Sequence, residues 1–236
     1  MTPTPAALPV HCPLAGDWVA VNTPAERVPS HGTHFLGQTY AFDFARLTDG
    51  GQSFSRQPLW RQFLWRVPAR DFLAWGQPVC SAFSGRVVEA SDDWPDRLQV
   101  NSLWEVLRAH VLQRRPREDD LRPLLGNHVL VQGESGVALY AHLQRHSAAV
   151  RTGDRVTCGQ LIGAVGNSGN STMPHLHFQV TDRADLWRAQ GLPCGFVDVA
   201  QGDWMAPGQP LVPALMKVFH AGLPVSRPAR LAGGSC

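Results

Sequence analysis

No apolar run in this 236-residue chain approaches the roughly 20 residues that a membrane-spanning helix needs. The opening residues, MTPTPAALPVHCPLAGDW, lack a basic start followed by a long apolar stretch, so no standard secretory leader is expected there. Charged residues are few, at 17%, and the net charge is only +2, which gives no ground for a nucleic-acid or acidic-membrane partner. The five cysteines are scattered and form no C-x-x-C pair. That spacing argues against a structural zinc knuckle or a thioredoxin-like site. One or two disulfides stay open. What is present is a 44% hydrophobic composition, enough for a sizeable buried core. The length suits one domain with insertions, or one domain plus a small extension.

The chain divides by pattern. Residues 1–30 are rich in proline and small residues and read as an irregular N-terminal arm. Residues 38–44, QTYAFDF, alternate and read as a strand. Residues 45–74 read as an insertion with a short helix or irregular cover. In a second insertion, 91–125, Ser102 is expected to cap a helix. Leu103, Val106, Leu107, His110 and Val111 then recur at helical spacing as a packing face. From Gly126 onward, HVLVQ, VALYAHL, RVTCGQLIGAVG and HLHFQV are short strands or strand pairs between turn residues. GQPVCSAFSGRVV and GDRVTCGQLIGAV share a Gly-x-x-Val opening and a later glycine before an apolar pair. Two related antiparallel β units packed face to face account for this likeness. The expected fold is thus mainly β, a compact sandwich-like core with short helical insertions. Residues 31–190 form its domain, and 191–236 an extended segment wrapped on it.

The sharpest local feature is His175-Leu176-His177. In a strand, side chains at i and i+2 leave on the same face, so the two imidazoles point together. A lone H-x-H is more often a surface or structural pair, but its surroundings change the weighing. The loop GAVGNSGNSTMP lies directly before it and can expose backbone N–H groups and the polar Asn167, Asn170, Ser171 and Thr172 beside a site. His142 ends a predicted strand in YAHL. Asp43 stands between Phe42 and Phe44, where an unpaired carboxylate is costly. His34 lies nine residues before Asp43. Together these groups supply nitrogen and oxygen ligands, an open position for water, and histidines to handle protons. Asn127 and Gln179 are expected as acceptors that fix ring tautomers.

These segments resemble the lysostaphin/LytM-type zinc metallopeptidases, which are peptidoglycan endopeptidases. YAFDF, GQPVCSAFSGRVV and a nearly continuous match over residues 126–180 carry the resemblance. It implies a duplicated β fold and one Zn2+ ion held by His34, Asp43 and His177. His142 and His175 are then the catalytic histidines. Asn167, Asn170, Ser171 and Thr172 are the substrate-binding loop. The commonest family pattern has a histidine four residues before the aspartate, and Thr39 stands there; a longer variant with nine favours His34 over His31. The implied substrate is a cross-link or stem peptide of peptidoglycan, and the implied location the cell envelope. Three other readings stand beside it: an inactive relative that scaffolds wall hydrolases, a phosphocarrier domain with paired histidines, and a zinc peptidase with a non-wall substrate.

Overall fold

The computed structural model describes residues 7–16, 18–48, 53–111 and 116–197. Residues 198–236, most of the expected C-terminal segment, lie outside the described residues. The fold is mainly β and antiparallel, as its alternating segments predict.

The main sheet is built from β2 (Val19–Asn22), β3 (Phe42–Ala45), β6 (Gly85–Ser91), β8 (Asn127–Gln132), β9 (Val137–Leu143), β10 (Arg155–Val156) and β12 (Leu176–Thr181). Its order is β10-β6-β8-β9-β12-β3-β2, and β13 (Gly191–Leu192) pairs with the far end of β12. The neighbours at its centre pair His177 with both Asp43 and Ala141. Three two-stranded ribbons complete the β structure. β1 (Leu8–Val10) runs parallel to β14 (Cys194–Phe196). β4 (Val67–Pro68) pairs with β7 (Gln99–Val100). β5 (Pro78–Cys80) pairs with β11 (Leu161–Ala164).

The internal likeness has a geometric counterpart. Aligning the two similar segments equates β5 with β10 and β6 with β11. The observed pairs are β5 with β11 and β10 with β6. Exchanging the two units therefore turns one pair into the other. The units are joined edge to edge through these pairs, in addition to any packing of faces.

Period-two alternation sends opposite chemistry to the two faces of the sheet. Phe42, Phe44, Tyr140, Leu143, Leu176 and Phe178 enter one core with Phe196. Leu130, Leu139 and Ala141 enter a second core on the other face, with Leu36 and Leu125. Asp43, one residue from each phenylalanine, is thus carried to the second face. The pattern slips at His142. Tyr140 and Leu143 share a core although an odd spacing separates them, which strict alternation forbids. His142 has φ 62°, an uncommon region for a residue with a side chain. The β8–β9 pairing shifts register opposite it, between Asn127 and Val129.

Several expectations are revised. The N-terminal arm is not wholly irregular, because it supplies β1 and β2. Residues 35–40 form 3-10 turns, so the strand expected from residue 38 begins at Phe42. Helix α1 (Leu59–Leu64) and helix α2 (Ser102–Val111) occupy the insertions. The residue that caps α2 is Asn101, whose Oδ1 accepts from the Trp104 N–H at 2.9 Å. The predicted packing stripe on α2 faces outward: Leu103, Val106 and Leu107 are exposed. The side chains of His110 and Val111 lie outside the described residues.

Candidate active site

Asp43 projects from β3 and His177 from the adjoining position of β12, with Asp43 Oδ1 2.9 Å from His177 Nδ1. Asn22, opposite Asp43 on β2, donates to its Oδ2 at 2.7 Å. The first histidine of the cluster is His31, not His34. His31 Nε2 lies 2.9 Å from Asp43 Oδ2. The exposed His34 instead contacts Thr39 Oγ1 through Nδ1 at 2.9 Å. A closed loop explains the difference. The Ser30 N–H donates to the Thr39 carbonyl at 3.1 Å, and Ser30 Oγ to the Gln38 carbonyl at 3.1 Å. His31 stands beside this closure and Gly32 turns with φ 71°. His34 sits out at the loop's far end. Spacing along the chain could not reveal where the loop closes.

His31, Asp43 and His177 each offer one ligand atom, all within 4.8 Å of one another. Their partners orient those atoms inward. Ser30 Oγ uses its proton on the Gln38 carbonyl, so it accepts from His31 Nδ1–H at 3.0 Å. Gln179 donates through Nε2 to the Leu36 carbonyl at 2.7 Å, so its Oε1 accepts from His177 Nε2–H at 2.9 Å. These bonds leave lone pairs on His31 Nε2 and His177 Nδ1, each facing a carboxylate oxygen. Acceptors opposed at such distances require a cation between them or protons on the rings. Two nitrogens and a carboxylate suit zinc, with a further position open for water. The residues therefore fit the ion that the resemblance implies.

Two more imidazoles border the cluster. The His142 ring centre is 4.8 Å from that of His175 and 5.9 Å from that of His177. His142 Nδ1–H donates to the Ser168 carbonyl at 3.0 Å, and His175 Nδ1–H to the Met173 carbonyl at 2.7 Å. Each ring thus keeps an Nε2 lone pair. Had β9 alternated strictly, His142 would have entered the aromatic core with Tyr140. Burial opposes ionisation of Asp43, but the neighbouring His31 and His175 hold its carboxyl well below the usual range. Burial, then His175 and His177, hold His142 well below the ordinary imidazole value. Burial presses His175 the same way, yet Asp43 overcomes it and leaves the value raised.

The five groups open on a cleft of about 580 Å³, also lined by Phe35, Leu124, Asn170 and Thr172. Asn167 and Ser171, the other two loop residues expected to bind substrate, are buried. Asn167 Nδ2 donates to the Arg97 carbonyl at 2.9 Å, and Ser171 Oγ contacts His175 Nδ1 at 3.1 Å. Of the two expected acceptors, Gln179 meets a site histidine. Asn127 instead binds the backbone of Trp94 and Leu143.

A clamp from the second insertion went unread in the sequence. Buried Glu105 pairs with Arg97 at 3.1 Å and with Arg108 at 2.8 Å. Arg97 donates to the carbonyls of Gly169 and Ser171, and Arg108 to the Ser171 carbonyl and to Asn170 Oδ1. This clamp fixes the loop that leads into His175. Its only sequence signal was a glutamate and an arginine three residues apart on a helix.

Residues 108–188 match the family described as Peptidase family M23. The matched segment belongs to this family. Beyond the M23 match, the chain is 40% identical over 62 residues to the peptidoglycan DD-endopeptidase ShyA of Vibrio cholerae, which covers 26% of this chain and 14% of that protein. It is 46% identical over 56 residues to the glycyl-glycine endopeptidase ALE-1 of Staphylococcus capitis, covering 23% and 15%. The chain therefore spans only a small part of the length of these curated relatives. Among solved structures, the catalytic domain of lysostaphin from Staphylococcus simulans is matched at 21% identity, over 75% of this chain and 88% of that one, with a TM-score of 0.36.

Proposed function

We propose that this M23 chain is a zinc metalloendopeptidase that hydrolyses peptide bonds in peptidoglycan cross-links or stem peptides. The observation that carries the reading is the pair of oriented lone pairs on His31 and His177, converging on the buried carboxylate of Asp43. The substrate class rests on the relatives named above, which are peptidoglycan and glycyl-glycine endopeptidases.

His31 Nε2, an Asp43 oxygen and His177 Nδ1 are the ligands in this reading. These three residues would hold a zinc ion, whose chemistry there would be to lower the pKa of a bound water from about 15.7 towards about 7 and to polarise the scissile carbonyl. Asn22 and Gln179 keep Asp43 and His177 turned to the centre. His142 and His175 present Nε2 to the cleft. They take the proton of the attacking water and hydrogen-bond the developing oxyanion. The Arg97–Glu105–Arg108 clamp holds Ser171 under His175, and Phe35 and Leu124 bound the cleft where the peptide lies.

The test is zinc content together with hydrolysis of purified cell-wall peptides by the wild-type protein and by His177→Ala. Stoichiometric zinc and turnover in the first, and neither in the second, is the expected result. Equal metal and equal turnover in both would sink the proposal.

A further inference from the structure

The insertions expose an apolar surface that the peptidase reading does not use. Nine of the thirteen large exposed apolar side chains among the described residues lie within residues 60–65 and 98–107. Trp60, Leu64, Trp65, Leu98, Leu103 and Trp104 are each between 49% and 68% exposed, too open to count as core. They form one surface because their elements are joined. Val67 pairs with Val100 in the β4–β7 ribbon. Asn101 Nδ2 donates to the carbonyls of Phe63 and Trp65, each at 3.0 Å, while its Oδ1 caps α2. Clustered exposed apolar groups of this kind mark an interaction site.

On the α1 side of this surface the exposed charged side chains have one sign. Arg56, Arg61, Arg66 and Arg70 are all exposed, and no Asp or Glu occurs between Gly50 and Arg70. The acid of α2, Glu105, is buried and bound to Arg97 and Arg108. The acid that directly follows the 50–70 stretch, Asp71, is half-buried and accepts a hydrogen bond from Gln57. The overall net charge of +2 averages this local excess away.

We propose that this α1–α2 surface seats on a bilayer bearing anionic headgroups. Tryptophan is at home at headgroup depth, where its ring meets the acyl boundary and its N–H stays wet. Leucines reach just below, and arginines alongside meet the phosphates, as on an amphipathic helix lying in the interface. A protein partner would need an acidic rim matched to these arginines, whereas an anionic bilayer supplies that charge wherever the surface lands.

The test is co-sedimentation of the full chain with vesicles of phosphatidylglycerol and phosphatidylcholine in equal parts, and with phosphatidylcholine alone. The mixed vesicles should pellet the protein, and the neutral ones far less. Each basic residue multiplies such partitioning by about fivefold, so Arg61→Gln with Arg66→Gln should lower it by roughly 25-fold. Trp60→Ser, Trp65→Ser and Trp104→Ser together should abolish it. Circular dichroism and the melting temperature confirm that each variant is folded. No pelleting with either vesicle overturns the proposal. Pelleting that both variant sets retain does so too. A tryptophan-dependent dimer in sizing experiments, without vesicle binding, would assign the surface to a second copy and overturn it as well.

Discussion

The two faces of the strip formed by β3, β9 and β12 differ in almost everything except their backbone. One face carries Phe42, Phe44, Tyr140 and Phe178, with Phe42 and Phe44 stacked 5.6 Å apart. The other carries Asp43, His177 and Gln179, each held by a named hydrogen bond. Both faces are buried, so burial alone does not separate them. The aromatic face removes apolar surface from water and needs no directional partners. The polar face remains buried only because its donors and acceptors are matched, except where two lone pairs meet the Asp43 oxygens. Along β3 and β12, stability should therefore reside on one face and chemistry on the other, a single residue apart in sequence, while Leu139 and Ala141 of β9 give the second face an apolar part of its own.

Substitutions can break or sharpen that contrast. The largest effect is expected from His31→Ala or Asp43→Ala, which should abolish bound zinc and peptide hydrolysis while leaving the apo protein folded. Metal analysis and far-UV circular dichroism read both sides of that statement, and loss of the fold in both variants would refute the division of labour. Stripping the metal with a chelator should have the same consequence for hydrolysis, reversed by added zinc. On the opposite face, Phe178→Ala should cost about 3–5 kcal/mol in urea denaturation, with zinc still bound one-to-one wherever the protein is folded. Gln179→Leu removes the acceptor from His177 without touching the cluster. It should weaken zinc binding by roughly 10- to 100-fold, measured by competition with a chromogenic chelator; an unchanged affinity would show that the tautomer of His177 is set otherwise.

Away from the strip, Glu89 tests the sheet's edge. The His128 ring donates to it at 2.9 Å, and this bond holds the Glu89 carboxyl below its ordinary 4.5 despite the opposing effect of burial. A depressed acid contributes stability above its unfolded value and loses it as pH falls through its folded value. Glu89→Gln should remove that part of the acid sensitivity, by less than about 1 kcal/mol because the carboxylate is largely open to water. Unfolding midpoints from neutral pH down through pH 4 give the comparison. Smallest of all is His34→Ala, which should leave zinc binding and hydrolysis unchanged. A loss there equal to that of His31→Ala would restore the nine-residue spacing as the ligand rule.

The legible parts of the molecule were those in which local pattern and function coincide. Alternation in HLHFQV and YAFDF placed His177 and Asp43 correctly on strands, and their register brings them together. His31 was harder to place, because loop closure by Ser30 depends on hydrogen bonds across eight or nine residues of irregular chain. Asn22, Arg97 and Glu105 act across sheet or loop contacts that no local pattern announces. The stripe on α2 was misread for another reason. Helical periodicity shows that one face is apolar, but not whether the protein itself covers it.

The slip at His142 limits how this part of the gene can vary. Tyr140 and Leu143 both reach the aromatic core only because His142 takes a φ of 62° between them. Deleting one residue there would restore regular alternation but pull Leu143 out of its pairing with Asn127 on β8. An added residue would shift it the other way. Point substitutions at neighbouring positions can be absorbed by repacking, whereas changes in length cannot. The spacing between this tyrosine and leucine is thus a counted quantity, tolerant in chemistry and intolerant in number.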